Sequence, residues 1–175
     1  MESNKTFECF PLWMVAVADA VAFGIYIIGA YIMFKLNTIC GWLYLLYCLI
    51  VEIRVMRISC IHCYYYGKLC GLGRGKLASL FFGKGDSKKF LEKKITWKGL
   101  IPDLLVSFIP FVLGIYILFK HFNWFLLILI LFLLLLTTFG NGFVRSNFAC
   151  KYCKQRGLGC PAEKLFANAK NGPFN

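Results

Sequence analysis

Six of the nine cysteines fall into two triplets with one spacing. Cys60, Cys63 and Cys70 read C-x2-C-x6-C, and Cys150, Cys153 and Cys160 read the same, each displaced by 90 positions. Two thiols separated by two residues can reach one ion from a single tight turn, and thiolates suit zinc and iron–sulfur centres. Basic residues crowd both triplets: Arg54, Arg57 and Lys68 around the first, Arg145, Lys151, Lys154 and Arg156 around the second. Nearby cations lower a thiol pKa, so the sequence predicts thiols biased toward the ligand form.

Three metal arrangements fit the spacing. Cys60, Cys63, Cys150 and Cys153 could form one four-thiolate site, leaving Cys70 and Cys160 spare. Each triplet could hold its own centre with one position open. All six thiolates could share one polynuclear cluster. The x6 interval does not match the usual ferredoxin run, so iron–sulfur cluster and zinc both stay open as cofactors. The bland alternative treats cysteine as a small apolar filler. It suits Cys40 and Cys48, which lie in an apolar run, but does not predict one spacing in two polar segments. Cys9 has Gly99 as its counterpart, and His62 has Tyr152, so neither belongs to the repeated pattern.

The elements that position these cysteines are long apolar segments. The chain has 175 residues, of which 59% are hydrophobic, with a mean hydropathy of +0.67. A soluble domain carries about 45–50%, and here the excess is concentrated in blocks. A membrane-crossing helix needs roughly 20 apolar residues. Segments 12–34, 37–56, 100–119 and 122–139 qualify. The links 35–38 and 120–123 are short, so each joins an antiparallel helix pair.

The shift of 90 that superimposes the triplets also carries Gly24-Ile25-Tyr26-Ile27 onto Gly114-Ile115-Tyr116-Ile117. The sequence therefore predicts an all-α integral membrane protein of four transmembrane helices, made of two parallel helix-pair repeats, each followed by a cytoplasmic cysteine-rich hairpin. Residues 1–99 form the first repeat, with its triplet at 60–70 and a basic loop at 71–98. Residues 100–175 form the second, with its triplet at 150–160 and a C-terminal tail.

Charge gives the direction. Of 20 Lys and Arg, only Lys35 and Lys120 lie in the two short links; eleven fall between Arg54 and Lys98 and six after Phe139. The positive-inside rule then places both termini and the central loop in the cytoplasm of a multi-pass cell-membrane protein. The same asymmetry accounts for the net charge of +12 as orientation and contact with anionic headgroups. Nucleic acid is excluded as a partner, since neither a stacking platform nor a reading helix accompanies the charge. Cytoplasmic thiols stay reduced, which argues against a disulfide framework. The start of the chain lacks the charge and cleavage-site pattern of a removable signal.

Several features near the triplets admit ordinary readings. Gly71-Leu72-Gly73-Arg74-Gly75-Lys76 lacks Walker spacing and a preceding strand, and reads as a flexible turn that folds the cysteine segment back. Residues 77–82, followed by Lys84, Lys88 and Lys89, read as a short interfacial helix. Asp19, Glu52 and Asp103 near the span ends are expected to pair with Arg54, Arg57 or Arg145, although Asp103 could simply cap the third helix. Tyr64-Tyr65-Tyr66 supplies an aromatic shield or an interfacial anchor.

With only His62 and His121, predicted on opposite faces, and no serine–histidine–acid set, the sequence shows no hydrolytic machinery, and no nucleotide-binding machinery accompanies the triplets. The sequence points to a membrane metal protein with paired C-x2-C-x6-C sites. Its predicted role is electron transfer or the anchoring of a cytoplasmic redox partner, within a larger membrane complex or a homo-oligomer. A structural zinc protein and a small soft-metal transporter or sensor are the alternatives.

Overall fold

In the computed structural model, residues 6–92 and 97–161 are described. Part of the basic loop and the tail beyond 161 lie outside those residues. Among the described residues the chain is all-helical, with no strand. The helices are α1 (Leu12–Leu36), α2 (Thr38–Ile58), α3 (Arg74–Phe81), α4 (Ser87–Glu92), α5 (Trp97–Lys120) and α6 (Trp124–Leu135).

Four helical stretches are long and apolar enough to cross a membrane: Leu12–Leu36, Thr38–His62, Gly99–Lys120 and Trp124–Ala149. At 1.5 Å per residue the 25 residues of α1 extend about 37 Å, more than the ~30 Å hydrocarbon layer. Their outer faces carry Phe23, Ile27, Leu49 and Ile128, each well exposed. Such surface would drive aggregation in water and is at home in lipid. The fold is that of a multi-pass membrane protein.

The fourth stretch runs past Phe139 to Ala149, farther than its apolar run implies. Beyond α6 it widens into π-type turns at Leu136–Gly140 and again at Val144–Ala149. A local cause is visible at the first. The Thr137 hydroxyl donates to the Leu133 and Leu134 carbonyls, each at 3.0 Å, and the Thr138 hydroxyl donates to the Leu134 carbonyl at 2.7 Å. Hydroxyls competing for helix carbonyls loosen the regular ladder.

α1 is central and touches α2, α5 and α6. The core around it includes Ile25, Ile28, Ile32, Tyr44 and Leu133. Cys48 is buried in that core, with Cys40 packed beside it, as small apolar fillers would be. Pro110 lies inside α5 and supplies no N–H for the carbonyl of Val106 four residues earlier. In a bilayer that carbonyl needs another donor. The Tyr44 hydroxyl provides it at 2.9 Å, and Tyr47 donates to the Pro102 carbonyl at 2.8 Å. Gly29 leaves room for the Tyr44 ring, which a Cβ there would strike. Asn37 and Asn123, in the two short links, cap the next helices by accepting from Ile39 N and Phe125 N at 2.9 and 2.8 Å.

Both cysteine segments sit at the bundle end opposite those links. Residues preceding α1 strap the two segments together. Phe7 N donates to the Tyr152 carbonyl at 3.1 Å, and Phe10 N donates to the Leu69 carbonyl at 3.0 Å.

Candidate metal centre

Each C-x2-C segment closes as a tight turn at the end of a membrane helix. Cys63 N donates to the Cys60 carbonyl at 3.2 Å and Tyr66 N to the Cys63 carbonyl at 3.1 Å. The second segment repeats both bonds: Cys153 N to the Cys150 carbonyl at 3.4 Å, and Arg156 N to the Cys153 carbonyl at 3.1 Å.

The two turns dock on each other through two hydrogen bonds. Tyr64 N donates to Gln155 Oε1 at 2.8 Å, and Lys154 N donates to the Tyr65 hydroxyl at 2.9 Å. Adding 90 to 64 gives 154, and subtracting 90 from 155 gives 65, so the same shift that relates the triplets exchanges the two bonds. Gln155 is the one buried polar side chain among the described residues, at 5% exposure. Tyr65 is 1% exposed, and its own hydroxyl donates a hydrogen bond to the Phe7 carbonyl at 2.6 Å. Buried polar groups need such partners, since an unmet one costs about 1–3 kcal/mol.

Cys63, Cys70 and Cys153 pack against one apolar cluster formed by Phe10, Met14, Val15 and Tyr65. Cys63 also lies within electrostatic range of Cys160. The sulfurs meet backbone donors as well as apolar surface. Gly75 N donates to Cys70 Sγ at 3.3 Å. The N–H groups of Tyr65 and Tyr64 act to lower the Cys63 pKa, and those of Arg156 and Gln155 to lower that of Cys153. Cys60 is within electrostatic range of Cys70, Arg74 and Cys63, while Cys150 is exposed. Among the described residues, no three His, Cys, Asp or Glu side chains are placed to ligate one ion as they stand.

The basic residues do not act on the thiols as their positions in the sequence suggest. Burial pushes the Cys63 thiol up despite its backbone donors, and pushes Cys153 up to about 11. Lys68 and Lys154 are engaged elsewhere. Both pair with Glu8, Lys68 at 3.3 Å, and both lie over the Tyr64 ring, at 4.6 and 5.2 Å from its centroid. Tyr64 donates to the same carboxylate at 2.5 Å. Lys154, Tyr64 and Lys68, in that order of effect, hold Glu8 down at about 2. This exposed clasp joins the N-terminal strap to both cysteine segments.

The glycine-rich stretch is packed rather than a free turn. A Cβ at Gly71 would meet the Ala149 backbone at 2.9 Å, and one at Gly75 would strike the Tyr65 and Lys68 carbonyls. Gly73 adopts φ +67° beside the Asp19 carboxylate, a left-handed conformation that suits glycine. These close approaches deliver Arg74 to Glu52, at 2.5 Å. Glu52 also accepts from the Tyr26 hydroxyl. The partner of Glu52 is thus Arg74, not Arg54, Arg57 or Arg145; Arg54 instead donates to the Gly99 carbonyl at 3.3 Å. His62 Nδ1 lies 2.9 Å from the Asp86 carbonyl. α3 buries Ala78 and exposes Leu77, Leu80 and Phe81, the face an interfacial helix presents to lipid.

Gln155 and Glu8 carry the docking yet offer no signal as single residues in the sequence. The one hint to Gln155 is its place opposite Tyr65 under the shift of 90. Compared with protein-family models, curated proteins and solved structures, the chain matches none of them.

Proposed function

We propose that this membrane protein holds a thiolate-ligated metal centre, zinc or an iron–sulfur cluster, with ligands drawn from Cys60, Cys63, Cys70, Cys150, Cys153 and Cys160. In this reading two parallel helix-pair repeats each end in a cysteine hairpin at the cytoplasmic face. The observation that carries it is the docking of two identically spaced cysteine turns on each other, with the Gly75 N–H donating to Cys70 Sγ at 3.3 Å. A neutral thiol is a weak acceptor, whereas metal-bound thiolates are stabilised and tuned by hydrogen bonds of this kind. Binding would require the thiol side chains to turn toward one another. It would also release the protons that burial now keeps on Cys63 and Cys153, as thiolate ligation does in general.

An iron–sulfur centre here would pass electrons at the membrane surface to a cytoplasmic redox partner. A zinc centre would staple the helix ends. The test is elemental analysis with an absorption spectrum on protein purified without oxygen. Iron with acid-labile sulfide and a paramagnetic signal on reduction supports electron transfer, and zinc alone supports the staple. Absence of metal, with all six thiols freely labelled by a maleimide, overturns the metal reading.

A further inference from the structure

We infer that the outer face of α2 is a binding site for an anionic glycerophospholipid, with its phosphate held by Arg54 and Arg57. This rests on the membrane fold and is independent of the metal reading. An open groove of about 490 Å³ lies at the end of α2 nearest the cysteine turns, lined by Ile50, Ile53, Arg54, Arg57 and Ile58. Residues three or four apart share a helix face, so the two guanidinium groups stand together and the isoleucines form the wall beside them. The apolar wall continues along the helix, where Leu46, Leu49, Ile50 and Ile53 are all exposed. From Arg57 back to Leu46 the helix rises about 16 Å, close to half of the ~30 Å hydrocarbon layer. A lipid with its phosphate at Arg57 thus meets apolar surface through the depth of one leaflet.

The cationic head of this groove lacks a matching anion. Arg57 is exposed and forms no ion pair among the described residues. Its guanidinium lies over the Phe82 ring, 5.9 Å from the centroid, a contact that consumes none of its N–H donors. Arg54 donates twice to the Gly99 carbonyl, at 3.3 and 3.4 Å, which leaves further N–H groups on a side chain that has five. Asp103 acts on Arg54 electrostatically, but its charge is shared with Arg145 and Arg74.

Phosphate is the anion a bilayer offers at this depth, and the guanidinium fork fits its oxygens. A choline lipid brings a cation along with its phosphate, which two arginines disfavour. An anionic headgroup carries no such penalty. Residues 83–98 contain six lysines against Asp86 and Glu92, a balance that draws anionic lipid toward this end of the bundle.

The experiment is native mass spectrometry of the full-length, chelator-treated protein released from micelles containing equal amounts of phosphatidylglycerol and phosphatidylcholine. Wild type should retain a single phosphatidylglycerol per chain in preference to phosphatidylcholine. Arg57→Gln removes charge-assisted hydrogen bonds from an exposed side chain and should weaken retention roughly ten-fold or more. Lys35→Gln removes the same charge at the opposite bundle end and should leave retention unchanged. Ile53→Trp fills the groove with both arginines in place and should also lower retention; helix content identifies the folded variants. Equal retention of the two lipids, unchanged retention in Arg57→Gln, or an equal loss in Lys35→Gln overturns the site. Unchanged retention in Ile53→Trp reduces the effect to surface charge and overturns the groove. Displacement of the lipid by inorganic phosphate alone assigns the arginines to a free anion and overturns the lipid as ligand.

Discussion

Replacing Gln155 by leucine should undock the two cysteine turns. Leucine has nearly the same volume, so the cavity contribution is small and the loss is that of an acceptor. The Tyr64 N–H, now bonded at 2.8 Å, would be left unmet beside a residue that is 5% exposed. An orphaned buried donor costs about 1–3 kcal/mol, roughly 5- to 150-fold in the equilibrium between docked and undocked turns. Tyr65→Phe removes the counterpart: the acceptor for Lys154 N at 2.9 Å and the donor to the Phe7 carbonyl at 2.6 Å. Its cost should fall in the same range. The two sites share one interface, so their costs should not add; a coupling of about 0.5–3 kcal/mol is expected for contacting residues. The assay is the rate of maleimide labelling of Cys63 and Cys153 in chelator-treated protein, since docking covers both thiols. Each single variant should label several-fold to a hundred-fold faster, and the double variant little faster than the worse single. Wild-type labelling in Gln155→Leu, or strictly additive effects, would show that these bonds do not hold the turns together.

Two further outcomes follow from the packing and the charge around the site. Gly75→Ala sets a Cβ against the Tyr65 carbonyl and within 2.7 Å of the Lys68 carbonyl. It should lower stability by about 1–3 kcal/mol, read as a fall in melting temperature in detergent; Gly83→Ala, with open space around it, should change stability by less than about 0.5 kcal/mol. Glu8, held down at about 2 by Lys154, Tyr64 and Lys68 against an ordinary value of 4.5, should give the N-terminal strap a pH-dependent grip. Because the folded value is depressed, the contribution is fully present above about pH 4.5 and is lost as pH falls toward about 2. The protection factor of Phe10 N, which bonds to the Leu69 carbonyl at 3.0 Å, measured against the intrinsic exchange rate at each pH, should fall over that window in wild type and much less in Glu8→Gln.

The sequence by itself determines the four membrane helices. Lipid offers backbone groups no partners, so a long apolar run must satisfy its own hydrogen bonds as a helix. It also determines that six cysteines occupy matched positions in two polar segments, because spacing is a property of the chain alone. Helix limits were less legible. The fourth helix continues to Ala149 through π-type turns, the first of them accompanied by hydroxyl-to-carbonyl bonds at Thr137 and Thr138 that hydropathy does not register.

Only the tertiary structure decided which groups meet. The charge count around Glu52 offers several arginines, and the glycine-lined approach of residues 71–75 selects Arg74. Lysines beside the cysteines suggest acidic thiols, yet Glu8 draws Lys68 and Lys154 to itself, and burial governs Cys63 and Cys153. The docking of Gln155 and Tyr65 depends on how two distant segments fold back over one bundle end. Hydropathy and spacing are local along the chain. Pairing, burial and docking depend on helix rotation and loop path, which local pattern does not encode.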